Sequence, residues 1–411
     1  MPMSSTRARH HHAAGHGNEG GPIWLFAIAG LSASLVGLGL ARFAYTPLIP
    51  ALISAKWFSP AEAVYLSAVN LAGYLAGALI ARELAARTGS VRALRGAMLL
   101  ATAGFFACAV PLSFVWFFAW RFLAGATGGV IMVLAASTIL PHTSPGRRGM
   151  IGGIVFAGVG LGVAASGTLV PLLLQQGLKA SWYGLGVLSL LLTLVSWKAW
   201  PADVPAAPGK AAPANAAAHG KRITVVNILS LEYGLNALAL VPHMVFLVDF
   251  VARGLGQGIN AGSHYWVLYG IGATVGPLLT GHLADRAGFA PAIRLSFLVQ
   301  GAAVLLPTLS SAPPAMIVSS VIVGAFTPGI VPLVLGRIHE LLPHSAADQR
   351  AAWARATTMF AVFQAIGAYG LSFLFEHSAG SYTLLFAIGA GAVAVALAID
   401  LITAVATRRK G

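Results

Sequence analysis

Residues 281–288 read Gly281-His282-Leu283-Ala284-Asp285-Arg286-Ala287-Gly288, and 199 positions earlier the chain reads Arg82-Glu83-Leu84-Ala85-Ala86-Arg87-Thr88-Gly89. The same offset pairs Arg95 with Arg294, Gly125 with Gly324, and Gly73-x-x-x-Gly77 with Gly272-x-x-x-Gly276. Leu140-Pro141-His142 matches Leu342-Pro343-His344 at an offset of 202. Matches that keep one order and nearly one register argue for a duplicated chain. The spaced glycines are the small-residue pattern that lets membrane helices approach closely.

Working outward from these segments, the sequence is a succession of apolar runs. Of 411 residues 57% are hydrophobic and 9% charged, against about 25% charged in a soluble domain. A bilayer core about 30 Å thick takes about 20 apolar residues per helix. Twelve runs meet that length, near 23–54, 61–81, 93–112, 114–140, 150–174, 182–200, 223–252, 263–284, 291–310, 315–338, 351–375 and 382–405. The fold class is therefore all-α and polytopic, with twelve transmembrane helices as two pseudo-symmetric six-helix bundles. Parallel repeats of this kind place a site between the bundles. The expected organisation is a disordered cytoplasmic tail at 1–21, a first bundle at 22–200, a Pro- and Ala-rich cytoplasmic linker at 201–222, a second bundle at 223–406 and a tail at 407–411. Residues 1–21 contain no apolar core and read as a polar tail, not a signal peptide. Its His10, His11, His12 and His16 form no spaced metal set.

The 25 Lys and Arg against 11 Asp and Glu give a net charge of +14. With the N-terminus inside, 20 of the cations fall on one side and only Lys56, Lys179 and Arg253 on the other. Cationic loops mark the cytoplasmic side, so both termini are expected there, in a multi-pass protein of the bacterial inner membrane. The excess charge is thus a record of topology. Its short, scattered segments resemble no nucleic-acid module.

Gly281-x-Leu283-Ala284-Asp285-Arg286-x-Gly288 resembles the signature loop of the major facilitator superfamily. Arg121-Phe-Leu-Ala-Gly125-Ala-Thr-Gly-Gly129 is similar to its fourth-helix Arg-x-x-x-Gly-x-x-x-Gly motif. Arg42-Phe43-Ala44-Tyr45-Thr46-Pro47 resembles the bacterial YbfB/YjiJ-like branch, and the likeness covers residues 22–406. The resemblance implies alternating access, usually as a monomer, with Asp285 gating one side by capping a neighbouring helix N-terminus. Gly281, Asp285, Arg286 and Gly288 form this gating motif. The first-half copy departs from it, with Ala86 in place of Asp and Arg82 in place of Gly.

Charges within a span are costly, about 2.5–3.5 kcal/mol on insertion scales, and so point to function. Glu232 stands nine residues into the seventh run, about 14 Å deep at 1.5 Å per residue. Asn236 is one turn on and His243 eleven residues on, which places the three on one face. The superfamily resemblance puts that face on the cavity, with Glu232 and His243 as proton-coupling groups. A structural Glu bonded to a neighbouring helix and an interfacial His are the alternatives. Arg42 and Arg121, expected to face Glu232 from the opposite half, suit an anionic group gripped through paired donors. The alternatives are helix packing for Arg121 and snorkelling for Arg42. Tyr45, one turn from Arg42, is expected to share its face. Asn236, Tyr269 and Gln364 complete the substrate-binding candidates, with Asn70, Tyr74 and Gln300 as weaker ones.

Gly158-x-Gly160-x-Gly162 lies in an apolar run with no preceding strand, so it reads as helix packing and not as a dinucleotide loop. No phosphate-binding loop, metal-ligand spacing or Ser/His/Asp set is present. The sequence therefore predicts no enzyme, cofactor or metal. It predicts a secondary transporter of a small organic solute, leaning anionic, coupled to H+ and embedded in the lipid bilayer. An efflux transporter for drugs or metabolites and a non-transporting membrane sensor or assembly factor are the alternatives.

Overall fold

Gly89 and Gly288 explain why the two copies of the signature segment share a spacing. Each is the lone residue between two helices, with φ of 88° and 83°, a conformation that side chains with a Cβ rarely adopt. Each donates its N–H to the carbonyl four residues back, Ala85 or Ala284, at 2.8 Å. One glycine thereby turns the chain at the matched point of each half.

The computed structural model describes residues 23–143, 148–202, 216–343 and 345–408. The expected tail at 1–21, residues 409–411, most of the expected linker (203–215), Arg147 and His344 lie outside them. The described residues form twelve membrane-length helices. They are α1 (Ile23–Ser54), α2 (Pro60–Thr88), α3 (Ser90–Cys108), α4 (Phe114–His142), α5 (Arg148–Leu174), α6 (Leu178–Ser196), α7 (Ala216–Gly254), α8 (Gly258–Ala287), α9 (Phe289–Leu309), α10 (Pro313–Leu341), α11 (Ala346–His377) and α12 (Tyr382–Arg408). We call the face nearest both chain ends the terminal face and the opposite one the distal face.

Local sequence sets several boundaries. Pro111 to Ser113 separates α3 from α4, and the Ser113 side chain accepts from Trp116 N–H at 3.1 Å. At the start of α2, Ser59 and Glu62 form a reciprocal capping box ahead of Pro60. α7 begins at Ala216, inside the segment read as linker, because helix-favouring alanines follow the last linker proline.

Glycines position the helices within each half, and the two halves do it identically. A Cβ on Gly73 would strike the Phe122 carbonyl and one on Gly77 that of Ala126; in the other copy Gly272 meets Val321 and Gly276 meets Ala325. Gly125 lies on the Asn70 carbonyl and Gly324 on that of Tyr269. Every one of these pairs is displaced by 199 residues. The α2–α4 and α8–α10 contacts are therefore backbone-to-backbone. In α5, Gly158 and Gly162 admit α1, while Gly160 faces Thr274 of α8 in the other half. The glycine run is packing, as expected.

The halves meet along α2–α11 and α5–α8, and where the distal part of α1 meets α7. Three hydrogen bonds that join them lie toward the distal face. Thr46 donates to the Met244 carbonyl at 2.6 Å, Trp266 Nε1 to Ser166 Oγ at 3.1 Å, and Tyr65 to Glu376 at 3.3 Å. Removing one neutral buried bond costs about 0.5–1.5 kcal/mol. Thr46→Val is thus expected to raise the distal-open population about two- to twelvefold. Spin-label distances between Lys56 and Gln257 would read this as a growing long-distance peak, and an unchanged distribution would remove Thr46 from the closure.

Candidate functional site

Pro47 lacks an N–H, and its ring crowds the carbonyl four residues earlier, at Phe43. α1 correspondingly passes through a π-helical stretch, Leu35–Leu40, and a turn over 41–44 before resuming at Tyr45. α7 does the same around Pro242, with π-helical Pro242–Phe246 and Phe250–Gly254. Such bulges often mark functional positions, and here they lie in helices that meet across the halves.

The break in α1 aims Arg42 at the boundary between the halves. Its guanidinium carbon lies 5.0 Å from the Tyr74 ring centre and 5.1 Å from that of Phe43. It is close enough to the Tyr269 phenol of the second half to interact electrostatically. Arg42 is 9% exposed, its Nε and Nη2 have no hydrogen-bond partner, and no acid pairs with it among the described residues. Aromatic rings continue the wall: Phe43 to Trp266 at 6.1 Å, and Trp266 stacked on Tyr269 at 4.9 Å. Tyr269 is pinned by a 2.5 Å bond to Thr327. Tyr74 is the middle residue of α2, so this cluster sits at half depth.

Tyr45 does not share it. The interruption at 41–44 breaks the helical phase, and Tyr45 turns into the first half, donating to the Ala63 carbonyl at 2.9 Å beside Trp182. Arg121 is there too, 3% exposed, with its guanidinium 4.1 Å from the Tyr45 ring and Nη1 donating to the Ala41 carbonyl at 2.8 Å. Its own carbonyl accepts from Asn70 at 3.0 Å. Arg121 therefore braces the break in α1 from within its own half, and the structure does not bring it to Arg42.

Glu232, Asn236 and His243 do lie on one face of α7, but that face looks into the second half, toward α9, α10 and α12. Glu232 lies level with the terminal-face ends of α9 and α10, whose Ala290, Arg294 and Arg337 border the same space. It lines a cavity of about 410 Å³ with Arg294, Arg337 and Asp400. It does not face Arg42 or Arg121. Asn236 donates to Gln300 at 2.7 Å. His243 is fully buried, not interfacial: its Nε2 is 2.7 Å from Ser319 Oγ, and Phe386 packs edge-on. Gln364 donates to the Met244 sulfur at 3.5 Å, inside the second half.

In the signature loop, Gly288 makes the turn, Gly281 has open space around its Cβ position and Arg286 is exposed. The Asp285 side chain lies outside the described residues. Sequence reasoning missed three further charges inside spans. Asp249 is fully buried and held by Arg253 at 2.5 Å and Tyr382 at 2.5 Å. Arg294 pairs with Asp400. The four-residue spacing of Asp249 and Arg253 was a usable signal; the 106 residues between Arg294 and Asp400 left none.

The family profile described as "Uncharacterised MFS-type transporter YbfB" matches residues 34–401. No curated protein matches the sequence. Among solved structures, the crystal structure of a D-xylose-proton symporter is similar with a TM-score of 0.71 at 14% identity, covering 92% of this chain and 97% of that one. At that identity the likeness shows the fold alone.

Proposed function

The chain belongs to the major facilitator superfamily, in the family of YbfB-type transporters, and we propose that it carries a small organic monoanion across the bacterial inner membrane together with a proton. The observation behind this reading is Arg42: a buried cation at half depth between the halves, with two unpartnered nitrogens and no acid to neutralise it among the described residues. A charge in that position is stabilised when a bound anion supplies the missing acceptors. The aromatic rings around it favour a solute with a flat apolar body. Arg42, Tyr74 and Tyr269 contact it, and Arg121 keeps the α1 break in shape.

The cation bias supports a cytoplasmic terminal face. The distal contacts then describe a carrier closed to the outside. The signature loop lies at the cytoplasmic end of α8, where Asp285 is assigned the anchoring of that face when it closes.

Glu232 is the coupling group. One proton carried on the Glu232 carboxyl with each bound monoanion gives electroneutral one-to-one symport, which follows the pH gradient and ignores voltage. Voltage-driven accumulation in potassium–valinomycin-clamped proteoliposomes would reject that stoichiometry. Glu232→Gln is expected to abolish proton-driven accumulation and leave solute exchange within about twofold of wild type, since only the ionisable proton is lost. Accumulation at the full rate would make the acid structural.

The substrate class is tested by thermal shift of the purified protein against benzoate-type carboxylates, short carboxylates, amino acids, sugars and cationic drugs. A ligand at 100 times its Kd stabilises by about 2.7 kcal/mol. Aromatic carboxylates should shift wild type and not Arg42→Ala. Hits confined to sugars or cations would overturn the anionic reading.

A further inference from the structure

The cavity that holds Glu232 is separate from the boundary where Arg42 lies. It is enclosed by α7, α9, α10 and α12 of one half, and its lining lies near the terminal-face ends of those helices: Ala290 and Arg294 on α9, Arg337 on α10, Asp400 and Ala404 on α12. Arg337 is engaged by Glu340 at 2.8 Å and Arg294 by Asp400. Glu232 is 2% exposed and makes no hydrogen bond of its own, and its carboxyl borders the cavity. On the other side of α7, Tyr233 packs against Trp353 and Phe360 of α11, which walls the cavity off.

The polar face continues past Glu232 inside the same half. Asn236 is one turn on and bonded to Gln300 of α9. One further turn along α9, the Ala303 carbonyl accepts from Ser319 at 2.7 Å. Ser319 has a single hydroxyl proton and gives it to Ala303, so it accepts from His243 Nε2–H. That leaves His243 Nδ1 a bare acceptor. Asn236 Oδ1, Gln300 Nε2 and His243 Nδ1 are all fully buried without a partner. Buried polar groups of this kind are ordinarily bridged by water.

We propose that the proton passes between Glu232 and the terminal face through this cavity inside the second half, and not along the boundary where the solute moves. This rests on the reading of Glu232 as the coupling acid. Water in the cavity exchanges H+ between one carboxylate oxygen and the terminal face, and the same oxygen exchanges with the distal face along the polar groups beyond it, so one proton crosses in each cycle. Arg294 is the positioning residue: bound to Asp400, it leaves Glu232 free to take the proton. The unpartnered acceptors beyond Glu232 extend the same route toward the distal face.

The test uses the full-length purified protein and no solute. The infrared carbonyl stretch of the protonated Glu232 carboxyl, identified as the band missing in Glu232→Gln, is followed during exchange into D2O. Ala404→Trp and Ala290→Trp, which fill the cavity, should slow its deuteration by about tenfold or more, exchange then waiting on local opening of the helices. Both variants are first shown to be monodisperse. Asp400→Asn frees Arg294 to engage Glu232, so the band should disappear, and Asp400→Glu should restore it; loss of packing alone would not predict that pair of results. Unchanged deuteration in both tryptophan variants overturns the route and leaves Glu232 as the coupling acid. Absence of the band in wild type overturns the route and the coupling role together, while the thermal-shift screen still decides the solute site.

Discussion

Arg42→Ala is expected to lower kcat/KM for the transported anion by roughly 30-fold to several thousandfold. Truncating one member of a buried, hydrogen-bonded charge pair costs about 2–5 kcal/mol. The pair here is Arg42 with the solute's acidic group, among the rings of Phe43, Tyr74 and Tyr269. Arg42→Lys should recover only part of the loss, because an ammonium keeps the charge and lacks the planar fork that meets two oxygens. The contrast is Arg121→Met. That side chain holds the Ala41 carbonyl and the Tyr45 ring within one half, so its loss should lower the melting temperature and spare the apparent affinity of whatever protein folds. Counterflow in proteoliposomes and a melting scan on the same preparations separate the two. Equal losses of affinity at both positions would show that the arginines act as one site.

The second large effect is on folding. Gly276→Val should abolish the monodisperse peak in size-exclusion chromatography, and Gly77→Val should do the same. The added atoms meet the Ala325 or Ala126 backbone, which has no rotamer to yield, so α8 must separate from α10 or α2 from α4. Overpacking a core ordinarily costs about 1–3 kcal/mol, and contact with a carbonyl belongs at the upper end or beyond. The alanine variants should lower the melting temperature by similar amounts in the two halves. Gly370 and Gly391 have nothing within 4 Å of a Cβ position. Alanine there should be neutral or slightly stabilising, since it favours the helix by up to about 1 kcal/mol. A folded Gly276→Val protein would mean that the helix pair tolerates separation.

The spans and the duplication were legible because both are patterns in the chain itself: hydropathy over about 20 residues, and repetition at a fixed offset. Arg42 and Tyr269 were legible for a similar reason, as polar groups where apolar ones dominate. What was not legible depended on helix phase and start. Tyr45 was assigned to Arg42's face by assuming 100° per residue through a stretch that Pro47 interrupts. Glu232 was assigned to the space between the halves, although counting residues fixes which side chains share a face and says nothing of which neighbour that face meets. Arg294 and Asp400 come together only because α9 packs on α12, a fact of tertiary structure. Asp249 was within reach, since Arg253 stands one helical turn away.

The matched glycines and the unmatched charges tell of descent. At the backbone contacts the two copies have stayed interchangeable: Gly89 with Gly288, Gly77 with Gly276, Gly125 with Gly324. At the polar positions they have diverged. Arg95 in the first copy lies over Trp197, just past the end of α6, at 5.0 Å, whereas its counterpart Arg294 meets an acid on α12. On the roles proposed above, one inherited scaffold carries two tasks, the first copy supplying Arg42 to grip the cargo and the second Glu232 to carry the proton. Such a division of labour leaves each copy free to drift in the task the other performs. A change of cargo could then evolve in the first copy without disturbing how the second draws its energy.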